Sequence, residues 1–175
     1  RLPGLWAGVS AWVGISDLSA WHGECKKAGR KYWRDIEASC GGPPGKSAEI
    51  DSEYSRRSPL TWLKDYRGPA IDINAGIRDG HAGSVPISHS LLAFNRIAEK
   101  RDRIAVANIL AMTKTAKVPE QLQREIKDPA YGKKRPLFRA VSKNARVTIF
   151  DGGHEIVSTA AFSWLSKQRR PVAKR

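Results

Sequence analysis

The distribution of apolar and polar residues along the chain predicts alternating strands and helices. Residues 6–15 form a nearly continuous apolar run that ends at Ser16-Asp17, which is typical of a strand buried on both faces of a parallel sheet. Shorter runs rich in β-branched residues predict two more strands at 70–76 and 146–150. The expected fold class is therefore α/β, with a mostly parallel sheet of three strands and flanking helices.

The residues between the first two predicted strands have a helical pattern. From an N-cap at Ser16 or Asp17, apolar residues recur at spacings of three and four as far as Cys40, which predicts one long helix. A glycine- and proline-rich stretch at 41–45 ends this helix, and the pattern indicates shorter helices after it. We expect residues 18–63 to form a helical, cap-like segment.

The second half of the chain continues the alternation less regularly. The pattern predicts a helix over 87–99, an insertion over 102–141 that includes a helix at 119–126, a closing helix over 158–167, and a basic tail over 167–175. These boundaries are expected to lie within one domain.

The net charge raises the question of a nucleic-acid partner. The chain has a formal charge of +14 and a pI near 10.2, and clustered Lys and Arg residues are typical of proteins that bind phosphate backbones. No zinc-finger, RNP-like or helix-turn-helix pattern accompanies the basic residues, so a solvated basic surface is the expected reading. The chain also has no run of about 18 apolar residues, so a membrane-spanning helix is not expected.

The two cysteines, Cys25 and Cys40, are predicted to be free thiols. In one straight helix they would lie roughly 22 Å apart, much farther than a disulfide allows. A sharp break at Gly29 is the only feature that could bring them together. With no further cysteine in the chain, they do not form a zinc framework.

Candidate catalytic residues follow two of the predicted strands. Asp79 lies in a glycine-rich loop after the strand at 70–76, and His154 follows the strand at 146–150 directly. Open parallel sheets place their chemistry beyond the carboxyl ends of the strands. Hydrolases built on an open parallel sheet of this kind carry their catalytic triad in the chain order nucleophile, acid, histidine.

Four sequence features resemble the closing section of the prolyl-oligopeptidase-like (peptidase S9-type) branch of the α/β-hydrolase superfamily. They are Asn-Ala-Gly-Ile-Arg-Asp at 74–79, Val85-Pro86, the Ser-His-Ser start of the helix at 88–94, and Phe-Asp-Gly-Gly-His-Glu at 150–155. The resemblance implies that residues 1–175 form a single partial domain, the C-terminal part of an α/β-hydrolase fold.

The resemblance also implies a role for each candidate residue. His154 would be the general base of a Ser-Asp-His triad, and Asp79 would orient its imidazole. Asp72, inside the strand, is the weaker alternative acid. The substrate would be a peptide or an ester, and the chemistry would need no cofactor and no metal. In the family the loop between the acid and the Val-Pro pair is shorter than here.

The nucleophile is the main departure from the family pattern. The chain has no Gly-x-Ser-x-Gly motif, and Gly8-Val9-Ser10-Ala11-Trp12 lacks the final glycine. Because the sequence begins with Arg1, we expect an upstream half of the same domain to carry the serine, and the chain alone to be inactive. The alternatives are a non-catalytic remnant or interaction domain of the same fold, and a basic nucleic-acid-binding protein.

Three other patterns favour structural roles over functional ones. Residues 40–47 approach a phosphate-binding loop, but Cys40 replaces the first glycine and a helix, not a strand, precedes it. His81 and His89 could be grouped with Asp79 as metal ligands, but their spacing has no specific geometry. His22 is expected on a helix surface.

Overall fold

The computed structural model describes residues 5–170, in which strands and helices alternate. Four strands and seven α-helices follow one another in the order β1 (Gly8–Trp12), α1 (Leu18–Lys27), α2 (Tyr32–Cys40), α3 (Ala48–Arg57), α4 (Pro59–Trp62), β2 (Ala70–Gly76), α5 (Ser88–Ile97), α6 (Val106–Thr115), β3 (Pro136–Ser142), β4 (Ala145–Phe150) and α7 (Ser158–Leu165). Short 3-10 turns occupy 63–65, 100–102, 120–122 and 129–131. The basic tail beyond residue 170 lies outside the described residues.

The strands form one mostly parallel sheet in the order β1-β2-β4-β3. β1, β2 and β4 are parallel, whereas β3 pairs antiparallel with β4. The expected α/β class with a mostly parallel sheet and flanking helices is therefore confirmed. The carboxyl ends of β1, β2 and β4 lie at one edge of the sheet, and β3 begins at that same edge because Pro136 pairs with Phe150. We call this the carboxyl edge.

The prediction of three strands was wrong, because β3 lies within the region assigned to an irregular insertion. Its sequence, PLFRAVS, is short, and only Pro136, Phe138 and Ser142 of its seven residues are buried. It joins β4 through a tight turn in which Lys143 has a φ of +50°. The predicted helix at 119–126 is also wrong. Only a 3-10 turn at Glu120–Leu122 forms there, because two apolar residues give a helix of this length too little surface to bury.

The long helix predicted over 17–40 is broken into two. Asp17 is the N-cap of α1, as predicted, and accepts a hydrogen bond from the backbone N–H of Ala20. The chain then turns at Gly29, whose φ of +66° is left-handed, and α2 packs against α1. Packing two helices buries apolar surface that one extended helix would leave in water. Cys25 and Cys40 are buried, free thiols despite this turn.

The two faces of the sheet differ in chemistry. One face carries the main apolar core, in which β2 and β4 pack against α5 and α6. On the other face Asp72 is fully buried and pairs with Arg146, with 2.7 Å between Oδ1 and Nε, and Asn74 donates to its second oxygen at 2.9 Å. Both oxygens of Asp72 are thus bound by side chains of the same sheet face.

Candidate active site

The acid loop, residues 77–85, follows β2 and is attached to the histidine loop, residues 151–157, by backbone hydrogen bonds. Ile77 N–H donates to the carbonyl of Phe150 at 2.8 Å, and Arg78 N–H donates to the carbonyl of Gly152 at 3.0 Å. A side chain on Gly76 would overlap the backbone of the histidine loop, so only glycine permits this close approach. The two loops therefore hold a fixed relative position at the carboxyl edge.

Asp79 is buried and its carboxylate is bound on both sides. One oxygen, Oδ1, accepts the backbone N–H groups of Gly80 at 2.9 Å and Val85 at 3.2 Å. The other, Oδ2, lies 2.9 Å from Nδ1 of His154. The side chain of Asp79 is only 1% exposed. Two backbone donors and burial thus fix the carboxylate in a single orientation toward the imidazole.

His154 presents the opposite environment, since 43% of its side-chain surface is exposed. Its Nδ1 is engaged by Asp79, whereas its Nε2 has no hydrogen-bond partner within residues 5–170. When Nδ1 carries the proton and donates it to Asp79, Nε2 presents a free lone pair. The imidazole is therefore oriented by one nitrogen and open to a reacting group at the other.

Gly83 is a residue of this arrangement that the sequence reasoning did not identify. A Cβ atom at this position would overlap Oδ1 of Asp79 and approach Cβ of His154 to 2.6 Å. The acid loop closes tightly over the pair only because this residue has no side chain. The loop contains one other glycine, Gly80, and no local pattern distinguishes Gly83 from an ordinary turn glycine.

Ion pairs reinforce the histidine loop. Lys134 lies 2.8 Å from Oε1 of Glu155, and the same oxygen accepts the N–H of Gly153 at 3.0 Å. The hydrogen bond from Lys134, followed by that from Gly153, lowers the pKa of the Glu155 carboxyl. Arg78 of the acid loop pairs with Asp151 at 2.6 Å, in a more exposed position.

The helical segment contacts the acid loop from outside. Trp21 of α1 donates its indole N–H to the carbonyl of Ser84 at 2.9 Å, and it stacks on Tyr32 with ring centroids 5.6 Å apart. These two rings, with Leu18 and Ile36, line a depression of about 320 Å³. The predicted cap-like segment is helical, and its aromatic depression adjoins the loop that carries Asp79.

The other histidines lie apart from the pair. His81 is exposed and its Nε2 lies 2.8 Å from the carbonyl oxygen of Thr113, whereas His89 is buried and contacts Glu24 at 2.9 Å. Within residues 5–170, no group of three or more His, Cys, Asp or Glu side chains could hold a metal ion. The prediction of His22 on a helix surface was wrong. It is 5% exposed and 2.8 Å from Glu37, because α2 folds back onto α1.

The remaining sequence candidates lie outside the site. Asp72 is bound to Arg146 and Asn74 on the polar sheet face, so the structure does not bring it to His154. Ser47, the last residue of the stretch that approaches a phosphate-binding loop, is the N-cap of α3, and the helix α2 precedes this stretch.

Three comparisons with known proteins gave no match: neither a protein-family model, nor a curated protein, nor a solved structure is similar to this chain. In the part of the chain that the structure describes, no helix has the length and apolar character needed to cross a bilayer.

Proposed function

We propose that this chain supplies the acid and the general base of a serine hydrolase, a peptidase or esterase of the prolyl-oligopeptidase-like branch of the α/β-hydrolases. One observation carries the proposal. A buried carboxylate, Asp79, lies 2.9 Å from Nδ1 of an exposed histidine, His154, on loops that follow the adjacent parallel strands β2 and β4. Burial of the acid and exposure of the base are what a triad requires of these two members.

In the proposed mechanism, Nε2 of His154 takes the proton of a serine hydroxyl as the serine attacks the acyl carbon. It then returns this proton to the leaving amine or alcohol. Asp79 keeps the proton of the resting imidazole on Nδ1 and stabilises the imidazolium that forms. The two backbone N–H groups on Oδ1 maintain its orientation through both steps. This chemistry uses no metal and no cofactor.

We infer that the serine and the oxyanion hole come from a segment outside these 175 residues that adds to the sheet at β1. Among the described strands, β1 pairs on one side only, with β2. Leu5, Trp6 and Val9, beside or within β1, are 54%, 60% and 38% exposed. An open strand edge next to exposed apolar side chains favours pairing with another strand. Without that segment, we expect the chain to be inactive and poorly soluble.

The helical segment supports a role in substrate selection. The depression lined by Trp21 and Tyr32 adjoins the acid loop through the Trp21–Ser84 hydrogen bond. Stacked aromatic rings beside the acid loop favour an apolar group of the substrate at this position.

The test begins with the reading frame upstream of Arg1. We expect it to encode a Gly-x-Ser-x-Gly motif, and we expect a fluorophosphonate probe to label that serine in the longer protein. The 175-residue chain alone should not react, and heat-denatured longer protein serves as the control for non-specific labelling. His154→Ala should abolish labelling of the longer protein, because the serine loses its general base.

Two results would contradict the proposal. If the longer protein carries the motif but His154→Ala labels as fast as the wild type, His154 is not the base. If no upstream segment with a nucleophile exists, the Asp–His pair has no serine to activate, and a non-catalytic domain of the same fold becomes the better assignment.

A further inference from the structure

A second candidate site is a groove of about 740 Å³ at the start of β3. One wall is formed by residues 116–118 and 123–127, which follow α6, and the other by residues 135–137 at the start of β3. We call it the cationic groove. It falls within the region that sequence reasoning assigned to an insertion, and the catalytic mechanism does not use it.

The segments that carry the two walls of the cationic groove contact the acid loop and the histidine loop. Near the end of α6, the carbonyl oxygen of Thr113 lies 2.8 Å from Nε2 of His81 in the acid loop. On the other side, the carbonyl of Arg135 accepts the N–H of Asp151 in the histidine loop at 2.9 Å. The groove thus lies at the carboxyl edge, where β3 begins beside the end of β4.

The charge of the groove is strongly positive. Its lining includes four exposed cationic side chains and a single carboxylate, Glu125, and the cations are Lys117, Arg124, Lys127 and Arg135. Glu125 pairs only with Lys127, at 3.4 Å, and both groups are more than three-quarters exposed. Lys117, Arg124 and Arg135 have no ion-pair partner between residues 5 and 170. This charge distribution favours an anionic ligand.

The apolar lining restricts the class of anion. Val118, Ile126, Pro136 and Leu137 lie among the cations, so the groove offers aliphatic surface as well as charge. A compact phosphate would use one or two of the cations and none of this surface. A single-stranded nucleic acid would favour aromatic rings on which bases stack, and the lining contains none. Carboxylates spaced along a chain with aliphatic side chains between them match the lining best.

We propose that the cationic groove binds an acidic peptide segment that flanks the scissile bond of the substrate. Peptide binding by the groove does not depend on the proposed hydrolase function. The assignment of that peptide to a substrate rests on it. The backbone supports a peptide ligand, since in the described chain the N–H groups of residues 124–127 donate no hydrogen bond. The carbonyl groups of an extended peptide could accept hydrogen bonds from these N–H groups.

Binding is measured by fluorescence anisotropy, with a labelled peptide of about ten residues rich in glutamate and valine, which spans roughly 33 Å when extended. The tested variant is Lys117→Glu with Arg135→Glu. The matched control, Lys27→Glu with Lys100→Glu, changes the net charge equally at exposed positions away from the groove. At about 0.15 M salt, the groove variant should bind at least about tenfold more weakly, and the control within about twofold of wild type.

Three outcomes would overturn the proposal: no binding by the wild type, equal weakening in the two variants, or tighter binding of an oligonucleotide of the same charge with the same dependence on the groove residues. The assay needs no turnover, so its failure is distinct from a failure of the fluorophosphonate test. If the groove binds the peptide but the longer protein is not labelled by the probe, the site stands and only its assignment to a substrate is lost.

Discussion

Three histidine–carboxylate contacts allow the helical segment to be compared with the carboxyl edge of the sheet. In the contacts made by the helical segment, His22–Glu37 and His89–Glu24, the imidazoles are 6% and 3% exposed and the carboxylates 22% and 37%. At the carboxyl edge the carboxylate is the buried partner and the imidazole the exposed one: Asp79 is 1% exposed and His154 is 43% exposed. The distance from the ring nitrogen to the carboxylate oxygen is nearly equal in all three contacts, 2.8 to 2.9 Å.

The comparison shows that contact between a histidine and a carboxylate does not by itself indicate a catalytic pair. His89 uses both ring nitrogens, since Nδ1 accepts the N–H of Ser16 at 3.2 Å and Nε2 contacts Glu24. It joins α5 to the start of α1 and presents no free nitrogen. His154 keeps Nε2 open, and a general base requires this.

The largest expected effect is the loss of activity in Asp79→Asn. In the longer protein that carries the serine, kcat should fall by about 10⁴, because the amide favours the wrong tautomer of His154. Glu24→Gln is the matched control, since it changes the carboxylate beside His89 in the same way. Its kcat should remain within a factor of about three of wild type. A similar loss in both variants would remove the distinction between the two kinds of pair.

A second prediction separates the two candidate acids. Asp72→Asn should lower the free energy of unfolding by about 3 kcal/mol, because it leaves the guanidinium of Arg146 without its partner in a largely buried position. Urea denaturation measures this change. Asp151→Asn, which affects the exposed pair with Arg78, should cost less than about 1 kcal/mol. If Asp72→Asn instead abolishes activity in a fully stable protein, Asp72 and not Asp79 is the acid.

The third prediction compares the contributions of His89 and His154 to the free energy of unfolding. His89→Ala should destabilise the chain by about 2–4 kcal/mol, because it opens a cavity and leaves the N–H of Ser16 without an acceptor. His154→Ala should cost less, about 1 kcal/mol or below, because removing a half-exposed imidazole leaves no cavity and lets water reach the freed oxygen of Asp79. Thermal or urea unfolding of the two variants tests the contrast, and equal destabilisation would argue that His154 is structural.

The smallest effect concerns the thiols of the helical segment. Burial raises the pKa of Cys25 and of Cys40, so folding favours the neutral thiols. Their contribution to stability is complete below the unfolded pKa, about 8.5, and is lost as pH rises above it. The wild type should therefore lose more stability between about pH 7.5 and pH 10 than Cys25→Ala with Cys40→Ala. Parallel slopes for the two proteins would contradict this.

Much of the site was predictable because its residues are close to strand ends. Asp79 and His154 follow β-rich runs, and in a parallel sheet the carboxyl ends of such strands meet at one edge. The role of Gly83 was not predictable, because a glycine is informative only when the atoms that a Cβ would meet are known. The cationic groove was missed because its walls, 116–127 and 135–137, are largely irregular segments whose relative placement no local pattern specifies.

Local pattern alone determined the strands β1, β2 and β4, the N-cap at Asp17, and the order of acid and histidine along the chain, since each depends on residues a few positions apart. Tertiary structure decided where α1 ends, that 136–142 pairs as a fourth strand, and which histidine stays open to solvent. These outcomes depend on surface buried between distant segments, as when α2 folds back onto α1 and encloses His22. A linear pattern specifies which residues prefer burial, but only packing decides which partner each one finds.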